Sequence, residues 1–144
     1  TGEVLHKYSW YPKLNICMII PKSVYNTESV SFGGKEAESE NFETILKLLL
    51  EGEANKDELK FAEAATTSAE INQEYLVNPY FSKYHDKIEE LGAIGIAVGH
   101  TGTVCGILFA SGKEGAKAAG RCSTELKKEL VHDEGTVIEL VKVV

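Results

Sequence analysis

The stretch Gly92-Ala-Ile-Gly-Ile-Ala-Val-Gly-His-Thr-Gly-Thr-Val-Cys-Gly-Ile-Leu-Phe109 decides how this chain is read. Two short apolar runs flank Gly99-His100-Thr101-Gly102-Thr103, a pattern that predicts a strand, a tight glycine-rich turn and a second strand. Glycine has no Cβ and tolerates positive φ, so such a turn can bring main-chain N–H groups close to a ligand. Gly92, Gly95, Gly99, Gly102 and Gly106 recur through the unit. Interior glycines weaken strands, so their repetition points to the close approach of a helix, another backbone or a ligand. On spacing alone, a plain hairpin loop is the commoner reading of the turn.

The rest of the chain supplies partners for this unit. Leu14 to Ile20 is a continuous apolar run stopped by Pro21, which predicts a buried strand, and residues 1–12 before it read as an extended arm. Residues 22–36 are polar and read as loop, with Val30 and Phe32 as candidate short-strand residues. Phe42, Ile45, Leu46, Leu49 and Leu50 recur at helical spacing, with Gly52 as a stop signal. A second helix is expected after Asn55 as its N-cap, through Leu59, Ala62, Ala65 and Ala69. Asn78-Pro79 marks a third helix start, running through Tyr80, Tyr84 and Ile88 to Gly92. Beyond Ser111-Gly112, the stripe Ala116, Ala119, Ser123, Leu126 and Leu130 predicts a helix over 113–130, and Val137 to Val144 reads as a last strand. The order β, helices, β-hairpin, α, β is α+β, a ferredoxin-like split β-α-β sandwich with extra helices in the first crossover. One domain, 1–144, is expected, since no linker or repeat divides it.

Composition narrows the function. A net charge of −7, with Lys and Arg dispersed, argues against nucleic acid as a primary partner. No apolar run approaches the roughly 20 residues of a membrane-spanning helix, and no signal-peptide pattern opens the chain. Cys17, Cys105 and Cys122 are widely spaced and odd in number, which predicts buried free thiols in a reducing, cytoplasmic setting. No pair of His or Cys has metal-ligand spacing, so no metal site is expected. His100 is the one histidine in a plausible site; His6, His85 and His132 stand in polar or terminal surroundings. Ala64-Ala-Thr-Thr-Ser-Ala-Glu-Ile-Asn-Gln73 gathers hydroxyls and amides near the end of one helix. It reads either as a small-residue packing face with capping side chains or as a polar wall for a small hydroxylated or zwitterionic substrate.

Together the two unusual stretches resemble the C-terminal half of a GHMP-superfamily small-molecule kinase. Within that superfamily the resemblance is closest to the L-threonine kinases of cobalamin synthesis and propanediol utilisation. The family's last glycine-rich motif, Gly-hydrophobic-Ala-His-Ser-Gly-Thr-Val, is similar to Ile96-Ala-Val-Gly-His-Thr-Gly-Thr-Val104, with Gly99 in place of Ala and Thr101 in place of Ser. The family's Ala-Ala-Thr-x-Ser-Ala-x-x-Asn-Gln matches Ala64 to Gln73, and Asn78-Pro79 follows at a similar distance. Pro21 to Thr27 departs from the family, which usually has an acidic, Gly-Gly-containing strand end there.

The resemblance implies phosphorylation of a metabolite hydroxyl, with L-threonine first. It implies ATP and Mg2+ in the complete enzyme, and an acceptor side near Ser68, Asn72 and Gln73. It implies nucleotide contacts from Gly99, His100, Thr101, Gly102 and Thr103, with no catalytic base from this half. The family's phosphate loop, Pro-x-x-x-Gly-x-Gly-Ser-Ser-Ala, has no counterpart here, so an N-terminal ATP-binding domain is the expected partner and this half alone is expected to be inactive. The rival expectation is a non-catalytic amino-acid-binding regulatory module of ferredoxin-like fold.

Overall fold

The structure is a computed structural model that describes residues 9–22, 35–99, 104–133 and 135–143, leaving aside the side chains of 35–40. Its elements are β1 (Asn15–Ile20), α1 (Lys35–Asn55), α2 (Glu58–Asn72), α3 (Pro79–Tyr84), β2 (Gly95–Val98), β3 (Cys105–Phe109), α4 (Gly112–Glu129) and β4 (Val137–Lys142). A 3-10 turn, His85–Lys87, continues α3. The strands form one antiparallel sheet in the order β2-β3-β1-β4. This is the split β-α-β arrangement, α+β and ferredoxin-like, with α1 and α2 together filling the first crossover.

Strand alternation divides the interior into two clusters. Cys17 and Ile19 of β1, Ile96 of β2, and Cys105, Ile107 and Phe109 of β3 face α3 and α4. Tyr80, Phe81 and Tyr84 of α3 and Ala118, Ala119, Cys122 and Leu126 of α4 complete that side. Leu14 and Leu108, with Ile16 and Ala97, face Ala62 and Ala65 of α2 on the other side. The buried tyrosines place their polar ends on partners. Tyr80 Oη donates to Asp133 at 3.1 Å, and Tyr84 Oη donates to Glu129 at 2.9 Å. Burial first, and the Glu129 carboxylate second, push the Tyr84 phenol well above its ordinary value.

Four local expectations are corrected. Gly52 does not stop α1; a Cβ there would lie 2.7 Å from the Phe61 ring, so the glycine lets α2 lie close. The helix ends at Asn55, with Lys56 at φ 49° and Asp57 N donating to Gly52 O at 2.8 Å, a left-handed C-terminal cap carried by lysine. The N-cap of α2 is Asp57, which accepts from Leu59 N at 3.0 Å, while Asn55 bonds back to Glu51 O. Leu59 lies on the exposed side of α2. On α4 the buried stripe begins at Gly115 rather than Ala116, because the first turn rests on the exit of β3. Asn15 Nδ2 secures the same corner through Ala110 O (2.8 Å) and Gly112 O (3.3 Å). The Val30 and Phe32 reading lies outside the described residues, as do residues 1–8 of the arm.

All three cysteines are free and buried. The Cys122 thiol hydrogen-bonds to Cys17, a contact that favours charge on Cys17 and, with burial, holds Cys122 high. Burial, and then the neighbouring Cys17, push Cys105 up to about 12.

Two predictions follow from the packing. Gly115→Ala drives a Cβ into the Ala110 carbonyl oxygen and lowers unfolding free energy by about 2 kcal/mol or more. Gly120→Ala, with nothing within 4 Å, raises it by about 0.5–1 kcal/mol; urea denaturation measures both. Because the folded protein holds Cys105 above the ordinary thiol value of 9.0, its contribution to stability is complete below pH 9 and is lost as pH rises toward about 12. Thermal midpoints across that range should fall less steeply in Cys105→Ala than in the parent.

Candidate functional site

The glycine-rich turn is placed by a hydrogen-bonded strand pair. Gly99 N donates to Val104 O at 2.7 Å, in register with Gly95↔Leu108 and Ala97↔Gly106. His100, Thr101, Gly102 and Thr103, which follow in the sequence, lie outside the described residues. Gly99 itself is described. Among the described residues, the atoms nearest a Cβ built on it belong to Val104, at 3.5–3.7 Å, an ordinary contact. The position thus has room for the alanine carried by the motif that the sequence resembles.

The other hairpin glycines have steric reasons. A Cβ on Gly95 would lie 2.8 Å from Thr66 Oγ1 and 3.0 Å from Ala62 O, and one on Gly106 would lie 3.1 Å from Ile16 Cγ2. Gly92, at φ +73°, turns the chain out of the α3 connection into β2.

The polar stretch of α2 divides into separate tasks. Thr66 Oγ1 donates to Ala62 O at 2.9 Å and accepts from Ile96 N at 3.0 Å, so it satisfies the outward N–H of edge strand β2. Gln73 Nε2 donates to Ala69 O at 3.3 Å and its Oε1 accepts from Asn78 N at 2.7 Å. Asn78 in turn caps α3, accepting from Tyr80 N and Phe81 N. Asn72 is half-buried at the end of α2, with its carbonyl accepting from Tyr75 N and Leu76 N. Ser68 borders an apolar cavity of 450 Å³ that also touches Leu14, Ile45, Leu49, Phe61 and Leu108. Gln73 is committed to the α2–α3 turn and Ser68 to the apolar side of α2, so the two hydrogen-bonding groups serve different surroundings.

A larger cleft, 590 Å³, opens beside Thr66, His85, Asp86, Glu89, Glu90 and Gly95. It lies at the opposite end of β2 from Gly99, and Asp86, Glu89 and Glu90 outnumber Lys87 among its charged lining residues, which disfavours a phosphate. His85 is held there between Glu70 Oε1 at 3.1 Å and Asp86 Oδ1 at 3.3 Å, and is tilted against Phe81. The sequence reads His85 as a surface residue, and the structure leaves it half-buried. The run Tyr80 to Asp86 carries a signal for this contact only through the spacing of Phe81 and His85. Among the described residues no cluster of His, Cys, Asp and Glu is arranged to hold a metal, and no helix is long and apolar enough to cross a membrane.

No protein-family model matches the sequence, and no curated protein matches it. Among solved structures, the fold is that of part of a larger kinase chain. The crystal structure of homoserine kinase from Cytophaga hutchinsonii ATCC 33406 matches with a TM-score of 0.65 and 15% sequence identity. The match covers 96% of this chain and 45% of that chain, so this chain spans less than half of that kinase. At this identity the likeness defines a shared fold.

The packing role of Thr66 and the spare room at Gly99 are separable by mutation. Thr66→Val leaves the Ile96 N–H without its acceptor and costs about 1–3 kcal/mol. Gly99→Ala changes stability by less than about 0.5 kcal/mol, since its Cβ makes only ordinary contacts. Chemical denaturation of both variants reads the difference.

Proposed function

We propose that this chain is the C-terminal part of an ATP-dependent kinase that phosphorylates the hydroxyl of a small metabolite, with L-threonine as the first candidate acceptor. The observation that carries this reading is a conjunction. The stretch Ile96 to Val104, which resembles a GHMP-kinase glycine-rich motif, runs from β2 toward β3 in sequence, within a fold shared with part of a homoserine kinase. Two helices in the first crossover also suit this reading better than a bare amino-acid-binding regulatory module.

Mechanistically, the 99–103 loop would supply main-chain N–H donors to charge developing on the transferring phosphoryl group. His100, Thr101 and Thr103 would add side-chain donors, and Gly102 would let the backbone approach. ATP and Mg2+ would be held chiefly by an N-terminal domain that carries the phosphate loop, since no such sequence occurs in these residues. Ser68 and Asn72 are the acceptor-side candidates, with Gln73 beside them already engaged by Asn78 and Ala69. Phosphoryl transfer is mainly a matter of alignment and charge stabilisation, so this part contributes a wall of the site rather than a base.

The assay is ADP release by the chain together with its phosphate-binding domain, with L-threonine, homoserine and mevalonate offered as acceptors. L-Threonine should give the highest kcat/KM, and His100→Ala combined with Gly102→Val should lower kcat about 100-fold or more. Unchanged turnover in the double variant would remove the loop from the mechanism. ATP turnover at enzymatic rates by the 144-residue chain alone would defeat the division of labour.

A further inference from the structure

The three cysteines take no part in the proposed phosphoryl transfer, yet the fold gathers them into one cluster between the sheet and α4. Cys17 of β1 lies opposite Ile107 of β3, and Cys105 of β3 lies opposite Ile19. Cys17 and Cys105 are therefore diagonal neighbours on one face of the sheet. Diagonal neighbours lie about 7–8 Å apart, at or beyond the roughly 7 Å between Cα atoms that a disulfide can span. The ladder itself thus keeps that pair from joining. Cys122 comes to Cys17 from another direction. Helix α4 packs on β1, and there the Cys122 thiol donates a hydrogen bond to the Cys17 sulfur. Of the possible pairs, this is the one whose sulfur atoms already meet.

We infer that Cys17 and Cys122 are an oxidisable dithiol, joined as a disulfide when hydrogen peroxide reaches them, while Cys105 stays free. This goes beyond the kinase reading and needs neither nucleotide nor a second domain. In the first step the Cys17 sulfur attacks one oxygen of the peroxide and the O–O bond breaks. Cys17 becomes a sulfenic acid, and its proton leaves with the departing hydroxyl as water. In the second step the Cys122 sulfur attacks the sulfenic sulfur and the S–O bond breaks, the Cys122 proton leaving with that hydroxyl as water. Two thiols and one peroxide become one disulfide and two waters. The order of the steps follows from the surroundings. The hydrogen bond from Cys122, helped by Lys127, favours charge on Cys17 against the cost of burial, and the same bond, with burial, keeps Cys122 protonated. Cys17 is wholly buried and Cys122 is 2% exposed, so the oxidant must be small and uncharged, and it enters through local opening of α4 from β1. The product fastens α4 covalently to a central strand of the sheet.

Hydrogen peroxide added to the folded 144-residue chain tests this, with the product unfolded in iodoacetamide and mapped by non-reducing mass spectrometry. The expected product has lost two hydrogens and carries a single alkyl group, on Cys105, with one peptide pair joined through Cys17 and Cys122. Dithiothreitol should return all three thiols to alkylation. Cys105→Ala should form the same bond. Cys122→Ala removes the resolving thiol, so dimedone should trap Cys17 as a sulfenic acid. The map of the parent chain needs no variant, so it decides the matter even where Cys122→Ala fails to fold. Three alkylated thiols after peroxide treatment overturn the inference. So does a disulfide through Cys105 in the folded chain, or oxidation that dithiothreitol does not reverse.

Discussion

Gly95 and Thr66 set how closely α2 can lie against the edge of the sheet, and much of the molecule is positioned from that contact. With no Cβ at residue 95, Thr66 Oγ1 comes within 3.0 Å of Ile96 N while still bonded to Ala62 O within its own helix. A larger residue at 95 would strike Thr66 and the Ala62 carbonyl together, and the carbonyl is part of the helix backbone. Moving α2 outward would strand the Ile96 N–H and withdraw Ala69 from the cluster that holds the α3 tyrosines. It would also change the register of support beneath β2, whose far end carries the Gly99–Val104 pair and hence the loop.

Elements written in short-range signals were legible in the sequence. The Asn78-Pro79 start of α3, the strand–turn–strand unit and the β4 run each depend on residues within a few positions of one another. The ends of α1 and α2 were not, for tertiary reasons. Gly52 looks like a stop signal but serves the Phe61 ring on the next helix, whereas the true cap is Lys56 in a conformation that favours glycine. The start of the α4 stripe was misplaced by one residue because Gly115 yields to Ala110 O across the β3–α4 corner. In the site, residue types were visible but partners were not. Thr66 finds Ile96 across 30 positions, and no local pattern distinguishes that bond from a hydroxyl left free for a ligand.

The distribution of steric need among the glycines bears on where function resides. Gly95, Gly106 and Gly115 fill places where a Cβ would press on neighbouring atoms. Packing therefore accounts for them without any ligand. Gly99 has neither a crowded Cβ position nor a positive φ, so its surroundings would admit a small side chain. The steric demand seen at Gly95, Gly106 and Gly115 is therefore absent at Gly99, and packing among the described residues does not by itself require glycine there.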